Sequence, residues 1–349
     1  MSRKRKRRRP TLITKREKLM AKAKYTAIGG QALIEGIMMK SPEKTALAVR
    51  CPDKNIDITY LNGKSVRERV PILKLPILRG IAGFLESMIQ GYKAMMISAD
   101  KSGMTDLEDE KEKEKEKKSS GALMSVIMAI ASVLGVALAV ILFMLLPRLA
   151  VSGLSVLFKT DFSPVARSSI EQLIKLTIFV IYVWAVSFMK DIKRVFMYHG
   201  AEHKTIFCYE SGLPLTVENV RIQRRFHPRC GTSFMILMIL ISIIFSTVIQ
   251  LIFPGVYNLA WVWVIVKILL IPIVCGAGFE VLRVCGKYDN LFTRIISAPG
   301  LWLQRITTKE PEDDMIEVAI AAIKACEPAV PDVERPKEEE TNETDENAE

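Results

Sequence analysis

The sequence predicts a mainly α-helical, polytopic membrane protein. Four transmembrane helices are expected, with a small cytoplasmic α+β portion before them and interfacial helices after them. Three observations carry this expectation. Half of the 349 residues are hydrophobic while a quarter are charged, a mixture that separates into apolar and charged blocks. Three uninterrupted apolar runs, and a fourth with one embedded lysine, reach the roughly 20 residues a helix needs to cross a bilayer. Between the second and third runs lies a polar stretch, YHGAEHKTIFCYESGLPLTVENVRIQRRFHPRC at 198–230, which holds all three histidines of the chain.

Residues 1–25 form a basic arm that is expected to be disordered. Its RKRKRRR block at 3–9 reads as a cytoplasmic retention signal, with contact to anionic lipid as the functional alternative. No aromatic residues interleave with the block, which argues against nucleic-acid recognition. No apolar core follows it within 25 residues, so no cleavable signal peptide is expected. Residues 26–100 read as a small cytoplasmic domain. Thr45–Cys51 and Asn55–Leu61 have strand character, joined through Pro52-Asp53-Lys54, and Asn62-Gly63 makes a second turn. The preceding GGQALIEG reads as glycine turns flanking a helix start. From Leu75 to Ala99 the pattern is helical, with Leu78, Ile81, Phe84, Leu85, Met88, Ile89, Tyr92 and Met95 in one stripe. Arg79, Glu86 and Lys93 interrupt it, so this helix is expected to lie on the membrane or on the small domain. Residues 101–118 are a charged, solvated linker.

The membrane domain occupies 119–282, with spans at about 121–147, 168–189, 232–253 and 256–282. Glu171 and Lys175 form an i, i+4 pair in the second span. Lys267 lies well inside the fourth, where an ionisable residue either serves a function or snorkels to the surface. The 190–231 segment carries eight Lys/Arg, the 148–167 loop three and the 254–258 turn none. Both termini and the histidine segment are therefore expected on the cytoplasmic side of the cell membrane. Residues 283–326 read as interfacial and amphipathic helices, with Trp302 as an aromatic anchor. Pro311 opens the last helix, its first turn is acidic, and Met315, Val318, Ala319 and Ala322 form its apolar face. Residues 327–349 form an acidic tail expected to be disordered. None of the six cysteines falls in an external loop on this topology, so reduced thiols are expected.

In HGAEH, His199, Glu202 and His203 share one helix face, and two imidazoles flanking a carboxylate match the H-x-x-E-H arrangement of inverted-motif zinc hydrolases. A metal site at a membrane surface follows as the central expectation, with a divalent ion, zinc favoured, as cofactor. His199 and His203 supply two ligands, and His227 or Glu280 the third. Glu202 is the general base. Cys230 is open between a ligand, a nucleophile and a residue that starts a helix beside Gly231. Cys208 is expected to pack. Three histidines are too few for a di-iron desaturase, and two of them four apart on one helix cannot clamp a haem from both sides. Mononuclear hydrolysis of a peptide or lipid-linked substrate remains. The rival is a non-enzymatic scaffold or assembly factor in which the histidine cluster is structural. A transporter is disfavoured by four spans without an inverted repeat.

Three stretches together carry a resemblance: GGQALIEGIMMKSP at 29–42, YHGAEHKTIFCYE with RFHPRCGTSF between 198 and 234, and SAPGLWLQRITTKEP at 297–311. Over about residues 24–326 the chain resembles the YqhQ-like family of bacterial membrane proteins. That resemblance implies a domain of unknown function commonly labelled a predicted metal-dependent enzyme. It further implies Gly29, Gly30, Gln31, Glu35 and Gly36 as a second part of the site, beside the plainer reading of turns flanking a packed helix.

Overall fold

The computed structural model describes residues 26, 28–61, 70–103, 130, 133–135, 137–253, 255, 260–288 and 290–327. The basic arm, the Asn62-Gly63 turn, most of the charged linker, the first part of the first span and the acidic tail lie outside them.

The chain opens as a sheet. β1 (Gly29–Leu33), β2 (Gly36–Lys40), β3 (Thr45–Arg50) and β4 (Ile56–Tyr60) form an antiparallel meander in chain order. The later two strands and their turn stand where the alternation predicts them. The helix start expected at GGQALIEG is instead the β1–β2 hairpin, in which Leu33 pairs with Gly36. The reason is double-sided burial. Ile37 and Met39 enter one core with Ala46 and Ala48, while Leu33 and Met38 enter another with Leu47 and Val49. A strand buried on both faces shows no alternation, so its period is invisible in the sequence. Glu35 takes φ 49° in the turn. A Cβ on Gly36 would stand 2.7 Å from the Ala48 carbonyl oxygen, so only glycine fits there.

The helix α1 (Leu78–Lys101), after a short 3-10 turn at Pro71–Lys74, covers one face of the sheet through Ala94. Its inward side is made of small residues: Gly80, Ala82, Gly83, Gly91, Ala94 and Ser98. Part of the predicted apolar stripe points outward, with Leu85 53%, Met88 57% and Tyr92 69% exposed. The opposite face of the sheet is covered by α4 (Lys190–Glu210) and α9 (Asp313–Cys326). The apolar face expected on α9 is present and wider, since Ile316, Ile320, Ile323 and Cys326 are buried too. The small domain is therefore completed by two later segments of the chain.

Four helices are long and apolar enough to cross a membrane: α2 (Val133–Leu157), α3 (Pro164–Val186), α6 (Gly231–Ile252) and α7 (Ala260–Lys287, apolar from Val262). α2 does not stop at Pro147 as expected. A π-turn at Ile141–Leu145 precedes the proline. Proline lacks an N–H and its ring crowds the carbonyl four residues back, and a widened turn absorbs both faults. α7 likewise carries Pro272 and continues past residue 282 to Lys287. The short α5 (Val217–Arg221) lies between α4 and α6. After α7, an Asn290/Thr293 capping box starts α8 (Leu291–Thr307). α8 crosses α6 closely, since a Cβ on Gly300 would stand 2.6 Å from Ser233. Trp302 is half exposed on its outer side. The sheet, α4 and α9 thus gather at the end of the spans where α3 finishes and α6 begins.

Candidate metal centre

α4 is a helix separate from α3. Met189 is extended at its N-cap (φ −66°, ψ 135°), and the helix then runs unbroken through HGAEH. Tyr198 to Ile206 is buried on every side, because the sheet, α9 and the 222–230 segment surround it. Gly200 makes this packing feasible: the Lys309 carbonyl oxygen occupies the space a Cβ would take. The Lys309 N–H donates to the Phe196 carbonyl at 2.8 Å and fastens this crossing.

The crossing brings the Thr307 carbonyl to His199, whose Nδ1 bonds to it at 2.9 Å. The Nδ1 of His203 bonds to the Arg225 carbonyl at 2.5 Å. A carbonyl oxygen only accepts, so both rings donate from Nδ1 and turn Nε2 toward the cluster. His199 Nε2 lies 3.0 Å from Cys230 Sγ. One ligand atom from each of His199, His203 and Cys230 lies within 4.8 Å of the others, and all three residues are buried. Cys230 is also the N-cap of α6, accepting from the Thr232 N–H at 3.4 Å. Both the helix-start and the ligand readings of this residue therefore describe its position.

Burial opposes charge at His199, but the Cys230 thiolate beside it carries its pKa up to about 9. Burial likewise opposes ionisation of Cys230, and the two imidazoles hold its thiol well below the ordinary thiol range. Glu202 is shifted upward by burial, against the pull of His203 and His199. Its carboxyl accepts from the Gly30 backbone. A Cβ on Gly30 would stand 2.9 Å from three atoms of the Glu202 side chain, so β1 approaches the carboxylate only with glycine there. β1 thereby roofs a cavity of about 290 Å³ that reaches His199, Glu202, His203 and Cys230 and is also lined by Met235.

The other predicted residues are placed as follows. His227 borders the cavity, with its ring 5.6 Å from that of His203, but its nitrogens are engaged elsewhere. Its Nδ1 accepts from the Arg229 N–H at 3.2 Å, and its Nε2 faces Glu210 at 3.9 Å. Cys230 stands where the third histidine was expected. Glu280 is away from the cluster, because Arg79 of α1 clasps its carboxylate through two nitrogens. Glu35 is likewise a clasp: Arg194 holds both of its oxygens, at 2.5 and 2.6 Å, and Tyr198 reaches it at 3.1 Å. Gln31 and Gly29 line the cavity, Gln31 against Gly91 of α1. Gly36 serves the hairpin. Lys267 is on the candidate membrane-spanning helix α7, 3.6 Å from Glu171. Cys208 is buried and packs as expected, and all six cysteines are free.

Several site-building groups were missed. The Thr307 and Arg225 carbonyls are backbone and leave no mark in a sequence. Gln304, fully buried, accepts from the His227 N–H at 2.8 Å and donates to its carbonyl at 2.7 Å. A glutamine on the apolar side of an amphipathic helix is a signal that could have found it. Glu210 binds Arg229 and the Thr26 N–H and hydroxyl. Burial opposes its charge, yet His227 and Arg229 hold its carboxyl at about 2.

Fold and site together define a protein with four candidate membrane-spanning helices and a buried His-His-Cys cluster at one end of them. The chain belongs to the family described as "Protein of unknown function (DUF1385)", whose model matches residues 75–329. It is 40% identical over 295 residues to "Uncharacterized protein YqhQ" of Bacillus subtilis (strain 168), covering 84% of this chain and 90% of that protein. No solved structure matches.

Proposed function

We propose that this is a membrane-embedded, metal-dependent enzyme, a hydrolase, with one divalent ion held by His199, His203 and Cys230 at the cytoplasmic face. The observation that carries the reading is the pair of Nδ1–carbonyl hydrogen bonds at His199 and His203. Such bonds fix ring orientation in metal-binding histidines, and here they turn two Nε2 atoms toward the Cys230 sulfur, where an ion would displace the proton that His199 shares with Cys230. Two nitrogens and one sulfur suit zinc, and three protein ligands leave one position open, as catalytic sites require. When bound, such an ion supplies Lewis-acid activation.

The chain's own residues supply the rest. Glu202, its pKa raised by burial, is suited to take a proton from the attacking water and return it to the leaving group. The Gly30 N–H holds that carboxylate in place, and β1 forms one wall of the cavity. A peptide or lipid-linked substrate would reach the cavity along the membrane. The basic residues of the 190–231 segment support a cytoplasmic site.

One observation favours the scaffold alternative: each cluster member also fastens the chain. His199 holds the end of α8, His203 holds the 222–230 segment, and Cys230 caps α6. The deciding measurement is metal content by elemental mass spectrometry on detergent-purified protein, beside the double variant His199→Ala, His203→Ala. Near-stoichiometric metal that is absent from the variant supports the centre. No metal in either sample after attempted reconstitution sinks the hydrolase reading. Glu202→Gln then separates enzyme from scaffold, since it removes a proton carrier and leaves the ligands in place.

A further inference from the structure

A second cavity, of about 580 Å³, lies between α3, α6 and α7 and is unrelated to the metal centre. Its volume falls in the range of ligand pockets, roughly 300–1,000 Å³. Most of its wall is apolar, with Phe179, Leu270 and Val274 among the lining residues, and Ser242 lines it from α6. Gln172, Lys175 and Lys267 stand at its polar end. Two ammonium groups there face one carboxylate: Lys175 is 2.6 Å and Lys267 3.6 Å from Glu171. The described charges of the cluster therefore leave one positive charge over, inside the membrane region.

A second observation points the same way. Gln250 is 1% exposed, and neither its amide nitrogen nor its amide oxygen has a hydrogen-bond partner among the described residues. Ser246 Oγ is also buried without one. Ser242, Ser246 and Gln250 follow at i+4 spacing and so share one face of α6. Val183 and Phe179 of α3 share one buried cluster with Ile236 and Leu240 of α6. Buried amide groups left unbonded are costly in hydrocarbon, so the face of α6 that brings Ser242 to the cavity carries an unmet polar demand beyond it.

We propose that this cavity is a binding site for a fatty carboxylate. The chain would lie against the apolar walls, and the carboxylate would neutralise the excess charge of Lys175 and Lys267. A single negative charge balances the cluster. By helix rise, Lys267 lies about 8 Å and Lys175 about 16 Å inside the ends of their spans. A compact carboxylate reaches that depth without drawing a glycerol phosphate into the hydrocarbon. Intramembrane ionisable groups that face a cavity mark ligand sites by default. The proposal does not depend on the hydrolase reading.

The test uses full-length protein in a neutral detergent, titrated with radiolabelled oleate. Saturable binding near one oleate per chain is expected. Lys267→Met should weaken it at least tenfold, Ser242→Phe should abolish it by filling the cavity, and oleyl alcohol should compete at least tenfold less well than oleate. Metal content should be unchanged in both variants. Uptake that never saturates, or equal binding by wild type and Lys267→Met, overturns the site. Stronger competition by dioleoyl phosphatidylglycerol than by oleate overturns the carboxylate assignment. Lys267→Met leaves the Glu171–Lys175 pair intact, so it decides the question even where Ser242→Phe does not fold.

Discussion

At the scale of single residues, the cluster depends on which lone pairs are left free. His227 spends both ring nitrogens on Arg229 and Glu210, while Cys230 directs its sulfur at His199. Cys230→Ser should therefore lower metal affinity at least tenfold, and His227→Ala should retain near-stoichiometric metal, both read by elemental mass spectrometry after dialysis. Glu210 makes a pH prediction. Its folded pKa, about 2, lies below its ordinary 4.5. Its stabilising contribution is complete above about pH 4.5 and is lost as pH falls through 2. On the order of 2 kcal/mol should disappear across that window. Thermal unfolding between pH 5 and pH 2 checks this, with a shallower acid slope expected for Glu210→Gln. Gly30 belongs at this scale too. Gly30→Ala has to displace Glu202, so it should lose activity while keeping the metal.

At the scale of elements, α1 shows why small residues matter more than its apolar stripe. Gly80 lies against Gly276 and Phe279 of α7, and the Arg79–Glu280 clasp ties the same crossing. A Cβ at Gly80 would stand 2.9 Å from Phe279 Cβ, so the backbones meet only with glycine. Gly80→Val should separate the two helices and cost about 1–3 kcal/mol, measured as a lower unfolding midpoint in detergent. Leu85, Met88, Ile89, Tyr92 and Met96 point outward and are exposed. α9 plays the complementary part for the sheet, burying Ile316, Val318 and Ile323 against it and α4. Ile316→Ala, fully buried in that core, should cost about 2–5 kcal/mol and expose the β3–β4 region to limited proteolysis.

At the scale of the whole molecule, the sheet near the start and α9 near the end pack on α4, at one end of the spans. We propose that these two regions, held in one body, share the cytoplasmic side of the membrane. Single cysteines introduced at Asp53 and Asp161, with the native thiols replaced, test the orientation. A membrane-impermeant maleimide should label residue 161 on intact cells and residue 53 only after lysis. The reverse pattern would invert the proposed topology. Metal removal is the second whole-molecule test. The centre joins α4, the 222–230 segment, α6 and α8, so a chelator should lower the unfolding temperature of wild type and leave the His199→Ala, His203→Ala variant unchanged.

The sequence by itself determined that four long apolar helices are present, the helical face of His199, Glu202 and His203, the β3–β4 hairpin and the acidic start of α9. Each rests on local periodicity, turn chemistry or hydropathy, which neighbouring residues carry. Tertiary structure alone decided the rest. β1 and β2 are buried on both faces and show no period. The cluster takes Cys230 because the bonds made by His227 and Glu280 come from residues elsewhere in the fold. Gly30 meets Glu202 across 172 positions of chain. The Thr307 and Arg225 carbonyls that orient the imidazoles are carried by every residue type, so no sequence pattern can announce them.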